Sequence, residues 1–157
     1  MSDAKLAYNA DRTRQSVRMQ LSGELSQHLK LCTRLERNDY TLTAKSLGYL
    51  VAQDVGFVST TENLKSWFRL AYFHTNDYNS RVYAYENDLR YQFYIPSFYG
   101  EGIRSYITLS YRVKRRWQFE LKYGETIYFN QETIGRGTTE IKGNRRSDWK
   151  MQLQWKI

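Results

Sequence analysis

Two histidines are the residues best suited to acid–base work in this chain, and each has a hydroxyl beside it in sequence. His28 follows Ser26, and His74 precedes Thr75 and Asp77. A hydroxyl next to a base is the raw material of hydrolysis, provided that a third group orients the base. The spacing assembles no such set, so His28 is expected where a strand opens and His74 in a short turn at 75–79. Gly135-Arg136-Gly137 is not framed by a strand and a helix, so it does not read as a phosphate loop. Cys32 is the single cysteine, which excludes an intrachain disulfide and a thiolate metal site. Two histidines, one cysteine and dispersed carboxylates are too few for a metal cluster. No catalytic, cofactor or metal site is expected.

The charged residues carry a clearer signal. Glu86, Asp88, Arg90, Arg104, Arg112, Glu120 and Lys122 recur on one phase of an apolar–polar alternation, with both signs mixed. Such a set suits a paired network on one face of a sheet. A second group, Arg136, Lys142, Arg145 and Arg146, falls in the polar, glycine-rich stretch 130–147. A basic loop of this kind is able to hold anionic sugars and phosphates, such as those of lipopolysaccharide, through charge-assisted hydrogen bonds.

The elements that position these groups read as strands. Val17, Met19 and Leu21 alternate with Arg18, Gln20 and Ser22. Ile107, Leu109, Tyr111 and Val113 oppose Thr108, Ser110, Arg112 and Lys114. Trp149, Met151, Leu153, Trp155 and Ile157 alternate with Lys150, Gln152, Gln154 and Lys156. The same period runs through 29–36, 46–58, 68–72, 83–93, 103–113 and 117–129, which predicts about eight antiparallel strands. Composition agrees: 16% of residues are aromatic, with 14 Tyr, and proline occurs once. Residues 1–14 read as a polar lead-in and 15–157 as one domain. The polar N-terminus lacks the pattern of an export signal.

Mean hydropathy is −0.74 and no apolar run is long enough for a transmembrane helix. Strands, however, cross membranes with alternating residues. The aromatics sit near segment ends: Trp149 and Trp155 bracket Met151 and Leu153, Trp117 opens a strand, Phe129 closes it, and Tyr111 lies near an end. Girdles of this type mark the two interfaces of a bilayer. A short connection at 114–116 and a long one at 130–147 match short periplasmic turns and longer outer loops, although 59–63 is brief for an outer loop. The expectation is therefore an all-β, up-and-down transmembrane barrel, alone or as the C-terminal part of a larger one, with apolar residues facing lipid and charges facing the lumen. A soluble lipocalin-like carrier, with the faces reversed, is the alternative. The net charge of +8 does not argue for nucleic acid, because stacking and phosphate contact need aromatics and bases on one face.

Trp155 and Ile157, apolar at the final and antepenultimate positions, resemble the closing strand of Gram-negative outer-membrane barrels. That resemblance implies an outer-membrane location and recognition of the strand by the barrel assembly machinery. The stretch GRGTTEIKGNRRSDWKMQLQWKI resembles the ending of Bacteroidota outer-membrane barrels that carry an N-terminal helix-hairpin-helix segment, a likeness covering mainly 117–157. It implies that this chain is the C-terminal portion of a longer protein. The barrel reading itself leads to the expectation of a porin-like, non-enzymatic barrel with a structural or transport-related role and specificity in its outer loops. Some outer-membrane barrels are lipid hydrolases, which leaves His28 and His74 as residues to place.

Overall fold

The alternating segments form long strands because Val, Ile, Leu, Tyr and Thr fill one or both phases of the pleat, where they pack best. A computed structural model describes residues 12–42, 44–114, 116–135 and 137–155. In chain order the strands are β1 (Thr13–Glu24), β2 (Leu29–Thr41), β3 (Lys45–Val58), β4 (Leu64–Thr75), β5 (Val82–Tyr83), β6 (Ser97–Phe98), β7 (Glu101–Val113), β8 (Trp117–Tyr128), β9 (Thr133–Ile134), β10 (Ile141–Lys142) and β11 (Arg145–Trp155). Seven of them make one sheet in the order β1-β2-β3-β4-β7-β8-β11. Every neighbouring pair is antiparallel. The first strand thus begins inside the expected polar lead-in.

Register keeps the two faces separate. One face carries a continuous apolar row, Met19–Leu35–Val51–Tyr72–Ile103–Ile127, each residue opposite the next. A second row, Leu109–Leu121–Met151, crosses the last three strands. A slip of one residue would exchange the faces, so this register is tightly specified.

Residues 83–93 depart from expectation. They do not form a spanning strand. The whole segment 76–100 leaves the end of β4, folds back over the polar face of the sheet and returns to β7. It keeps only the two-residue strands β5 and β6, paired with each other, and an isolated bridge between Glu86 and Tyr94. Among the described residues there are accordingly seven long strands and one inserted segment where about eight strands were expected, and β1 does not pair with β11, so the sheet is open and not closed into the expected barrel. The short turn expected at 75–79 is the start of that segment, and His74 lies within β4 instead of in a turn.

This change of count puts the connections in order. Turns 25–28, 59–63 and 114–116 all fall at one end of the sheet, and 42–44, 76–100 and 129–144 fall at the other. The brevity of 59–63 is explained: it belongs to the short-turn end. Residues 129–144 contain the β9–β10 hairpin and a single 3-10 turn, Gly137–Thr139. No helix among the described residues is long and apolar enough to cross a membrane.

An apolar core fills the space between segment 76–100 and the loop end of the sheet. Leu50, Ala52, Ala71, Phe73 and Tyr128 meet Val82, Ala84 and Phe98. Phe73 packs against Phe98 and edge-on against Tyr128. The segment reaches the sheet at Gly48, where an added Cβ would lie 2.0 Å from the Ser80 carbonyl oxygen.

Candidate functional site: a charged face covered by residues 76–100

Beyond that core the covered face is ionic. Even-numbered positions of β2, β3, β7, β8 and β11 and odd-numbered positions of β4 point to it, which places Arg34, Asp54, Arg69, Arg104 and Lys122 there, all buried. Arg34 donates to Glu36 Oε2 at 2.6 Å. Arg69 Nη2 donates to Asp54 Oδ2 at 2.6 Å, and its guanidinium also donates to the carbonyl oxygen of Tyr85. Charges this deep in a protein are retained only when paired.

The segment supplies part of the pairing. Glu86 is fully buried; Arg104 donates to both of its oxygens, at 2.9 and 3.1 Å. Arg104 also donates to Asp148 at 2.6 Å. Lys122 lies 3.0 Å from Glu86 and 3.7 Å from Asp88. Its ammonium is off hydrogen-bond alignment with them, so the contact is one of charge. It also stands over the rings of Tyr106 and Tyr94, at 4.7 and 5.4 Å. Lys150 donates to Asp88 at 2.7 Å. Asp88 therefore sits between two lysines, and Glu86 between a lysine and an arginine.

The segment's own backbone is bound by side chains of the sheet. Tyr106 Oη accepts from the amide of Asn87, and Glu120 Oε2 from the amide of Arg90. The carbonyl oxygen of Arg81 accepts from Asn38 and from Arg14. At the start of the segment Asp77 accepts from the Ser46 hydroxyl at 2.7 Å and from the amides of Asn79 and Ser80. These bonds hold the Asp77 carboxyl below its ordinary pKa, the Ser46 hydroxyl most of all.

The expected network is thus brought together in part. Glu86, Asp88, Arg104 and Lys122 form one cluster. Glu120 is a separate acceptor for Gln118 and for the Arg90 amide, so Arg90 joins through its backbone. Arg112 stands opposite Gln118 near the short-turn end, with no ion pair among the described residues. Asp148, Lys150 and the pairs Arg34–Glu36 and Asp54–Arg69 were missed, although they lie on the same alternating phase.

The opposite face is apolar and uncovered. Met19, Leu35, Val51, Leu70, Phe119, Met151 and Leu153 are all exposed. Aromatics border it at both ends. At the short-turn end Trp117 and Trp155 stack at 5.5 Å with an 11° interplanar angle, and Tyr111 stands opposite Phe119. Trp149 is exposed in the middle of β11, opposite Tyr123, and at the loop end Tyr49, Tyr72 and Phe129 run in line at 6.0 and 6.3 Å. Tyr111, Trp117, Phe129, Trp149 and Trp155, the five expected girdle residues, are exposed, whereas Tyr49 and Tyr72 are half-buried.

Of the basic loop residues, Lys142 lies exposed in β10, whereas Arg145 and Arg146 open β11 and are strand residues. Arg136 and Ile157 lie outside the described residues. His28 Nδ1 lies 3.0 Å from the Val58 carbonyl oxygen, and the Ser26 hydroxyl oxygen accepts from the amides of His28 and Leu29. His74 stacks on Tyr49 and lies 3.7 Å from Glu101. Neither imidazole hydrogen-bonds to a hydroxyl among the described residues. No family model, curated protein or solved structure matches the chain.

Proposed function

We propose that this chain forms part of the wall of a β-barrel in the bacterial outer membrane, with a structural or transport-related, non-enzymatic role. One observation carries the reading: large apolar side chains stand exposed along the uncovered face, whereas the buried charged side chains lie on the covered face. Water favours the reverse arrangement, whereas lipid favours this one. A soluble carrier would need its apolar residues around the ligand, on the covered side. The long strands of β2, β3, β7 and β8, 12 to 14 residues each, exceed what a tilted crossing requires.

In this reading turns 25–28, 59–63 and 114–116 are periplasmic, and 42–44, 76–100 and 129–144 belong to the outer end, where 42–44 is as short as the periplasmic turns. Segment 76–100 constricts the interior. Lys142 and the exposed Arg145 and Arg146 lie where they would meet lipopolysaccharide, and Trp155 belongs to the strand read by the assembly machinery. Single-tryptophan variants in vesicles of brominated lipid test the reading. Emission from Trp117, Trp149 or Trp155 alone is expected to be quenched. Emission from Trp67, which packs over Gly56 on the covered side, is expected to be spared. Equal quenching of all four, or of none, would contradict the assignment of faces.

A further inference from the structure

The edges of the sheet specify what completes it. Seven strands, each antiparallel to the next, leave β1 and β11 running in the same direction. Closing them on each other would require a parallel ladder, and bacterial barrels close with an even number of antiparallel strands. The gap must therefore hold an odd number of further strands. A single strand would give eight, whose interior is only wide enough for side chains or one small ligand. Here the covered face holds side chains and the whole backbone of 76–100 as well.

A second observation concerns the segment itself. Val82, Ala84 and Glu86 are buried against the sheet, but Tyr83, Tyr85, Tyr91 and Phe93 are exposed on its other side, Phe93 and Tyr91 at 75% and 84%. The rings of Tyr85 and Phe93 lie 5.4 Å apart, tilted by 32°. A cleft of about 410 Å³, lined in part by Gln20, Arg34, Asp54 and Tyr85, lies between the segment and β1–β4. The side of the segment turned away from the sheet is aromatic and has no cover.

The geometry points to a partner of defined form: three or more amphipathic strands of a sequence other than 12–155. They pair antiparallel with β1 and β11, continue the apolar face outward and close a barrel of about ten strands or more over Tyr83, Tyr85, Tyr91 and Phe93. A second copy of this chain in the same membrane orientation would present its β1 parallel to β11, and an inverted copy would put its 76–100 segment at the opposite side. The inference rests on the membrane reading above.

The test places the photo-crosslinker p-benzoylphenylalanine at Val17 on β1 or at Met151 on β11, in the cell's own membranes, and reads the adducts by mass spectrometry. Both positions are expected to yield peptides from outside 12–155. Adducts joining β1 to β11, adducts to a second copy of either strand, or adducts to lipid alone would overturn the inference. Wild-type protein gives an independent readout. The edge amides of β1 and β11 should exchange roughly tenfold or more slowly in native membranes than in the 157-residue chain refolded in detergent; equal rates would also overturn it. Release of the protein from membranes by alkaline carbonate would instead defeat the membrane reading itself.

Discussion

Lys122 and Lys150 stand directly opposite each other on β8 and β11, both turned toward the covered face, with the carboxylate of Asp88 between them. Like charges opposite one another weaken a sheet. Two carboxylates of the inserted segment offset that repulsion, Asp88 between the two lysines and Glu86 beside Lys122. Asp88→Asn is expected to destabilise the protein by about 3–5 kcal/mol, the usual consequence of removing one partner from a buried ionic group. Adding Lys150→Met should recover much of the loss, giving a coupling of about 0.5–3 kcal/mol in a double-mutant cycle. Urea unfolding of the protein refolded in lipid measures both. Additive effects would mean that Asp88 is not what holds the lysines together.

Gly48 is the point at which the segment comes down onto the sheet. A methyl group there would meet the Ser80 carbonyl at 2.0 Å, a backbone atom that cannot rotate away. Gly48→Ala should lift the start of the segment and break the hydrogen bond from the Ser80 hydroxyl to the Leu47 carbonyl. Arg81 and Arg90 should then become sites of rapid tryptic cleavage while β7 and β8 stay resistant. Gly23, whose added Cβ would touch nothing, is the control: Gly23→Ala should leave the digestion pattern unchanged. Identical patterns for the two variants would show that the segment does not depend on this contact.

The two faces were legible in the sequence because a period of two survives wherever an extended chain separates lipid-like from polar surroundings; Leu109, Leu121 and Met151 show it plainly. The same period misled at 83–93. An extended segment lying on another surface also buries alternate residues, as Val82, Ala84 and Glu86 do, without joining the ladder of the seven-stranded sheet. What distinguishes it is where its backbone bonds go, here to Arg34, Asn38, Arg69, Tyr106 and Glu120, and spacing does not encode that. Asn76, Asp77, Asn79 and Ser80 were the available signal: turn-forming residues that mark where the chain leaves β4. Asp148 and Lys150 were missed for another reason. They belong to the cluster only through residues on the inserted segment and on β7 and β8, a long-range meeting that no local pattern contains.

Leu121 lies in the middle of the uncovered apolar face, between Leu109 and Met151. Leu121→Arg is expected to cost about 2–4 kcal/mol in a bilayer, against about 0–1 for Ser147→Arg near the loop-end border. In water the same change at a solvent-exposed site would stay within about 0.5 kcal/mol. Equilibrium unfolding of each variant from lipid vesicles separates these cases. Equal, small effects at both positions would remove the main support for a lipid-facing surface.

Asp77 gives the segment an acid-sensitive attachment. Its carboxylate accepts from Ser46, Asn79 and Ser80, and these bonds lower its pKa in the folded protein. A depressed carboxyl stabilises the fold fully above its unfolded pKa, about 3.9, and loses that contribution as pH falls through the lower folded value. Attachment of residues 77–80 should be constant from about pH 5 to 7 and should loosen below about pH 4. Amide exchange at Asn79 and Ser80, corrected for the intrinsic pH dependence, reports it directly. Asp77→Asn removes the titrating group, so its protection at these two amides should be lower at neutral pH and flat into acid. Acid loosening of the same size in Asp77→Asn would show that the attachment does not depend on the Asp77 carboxyl.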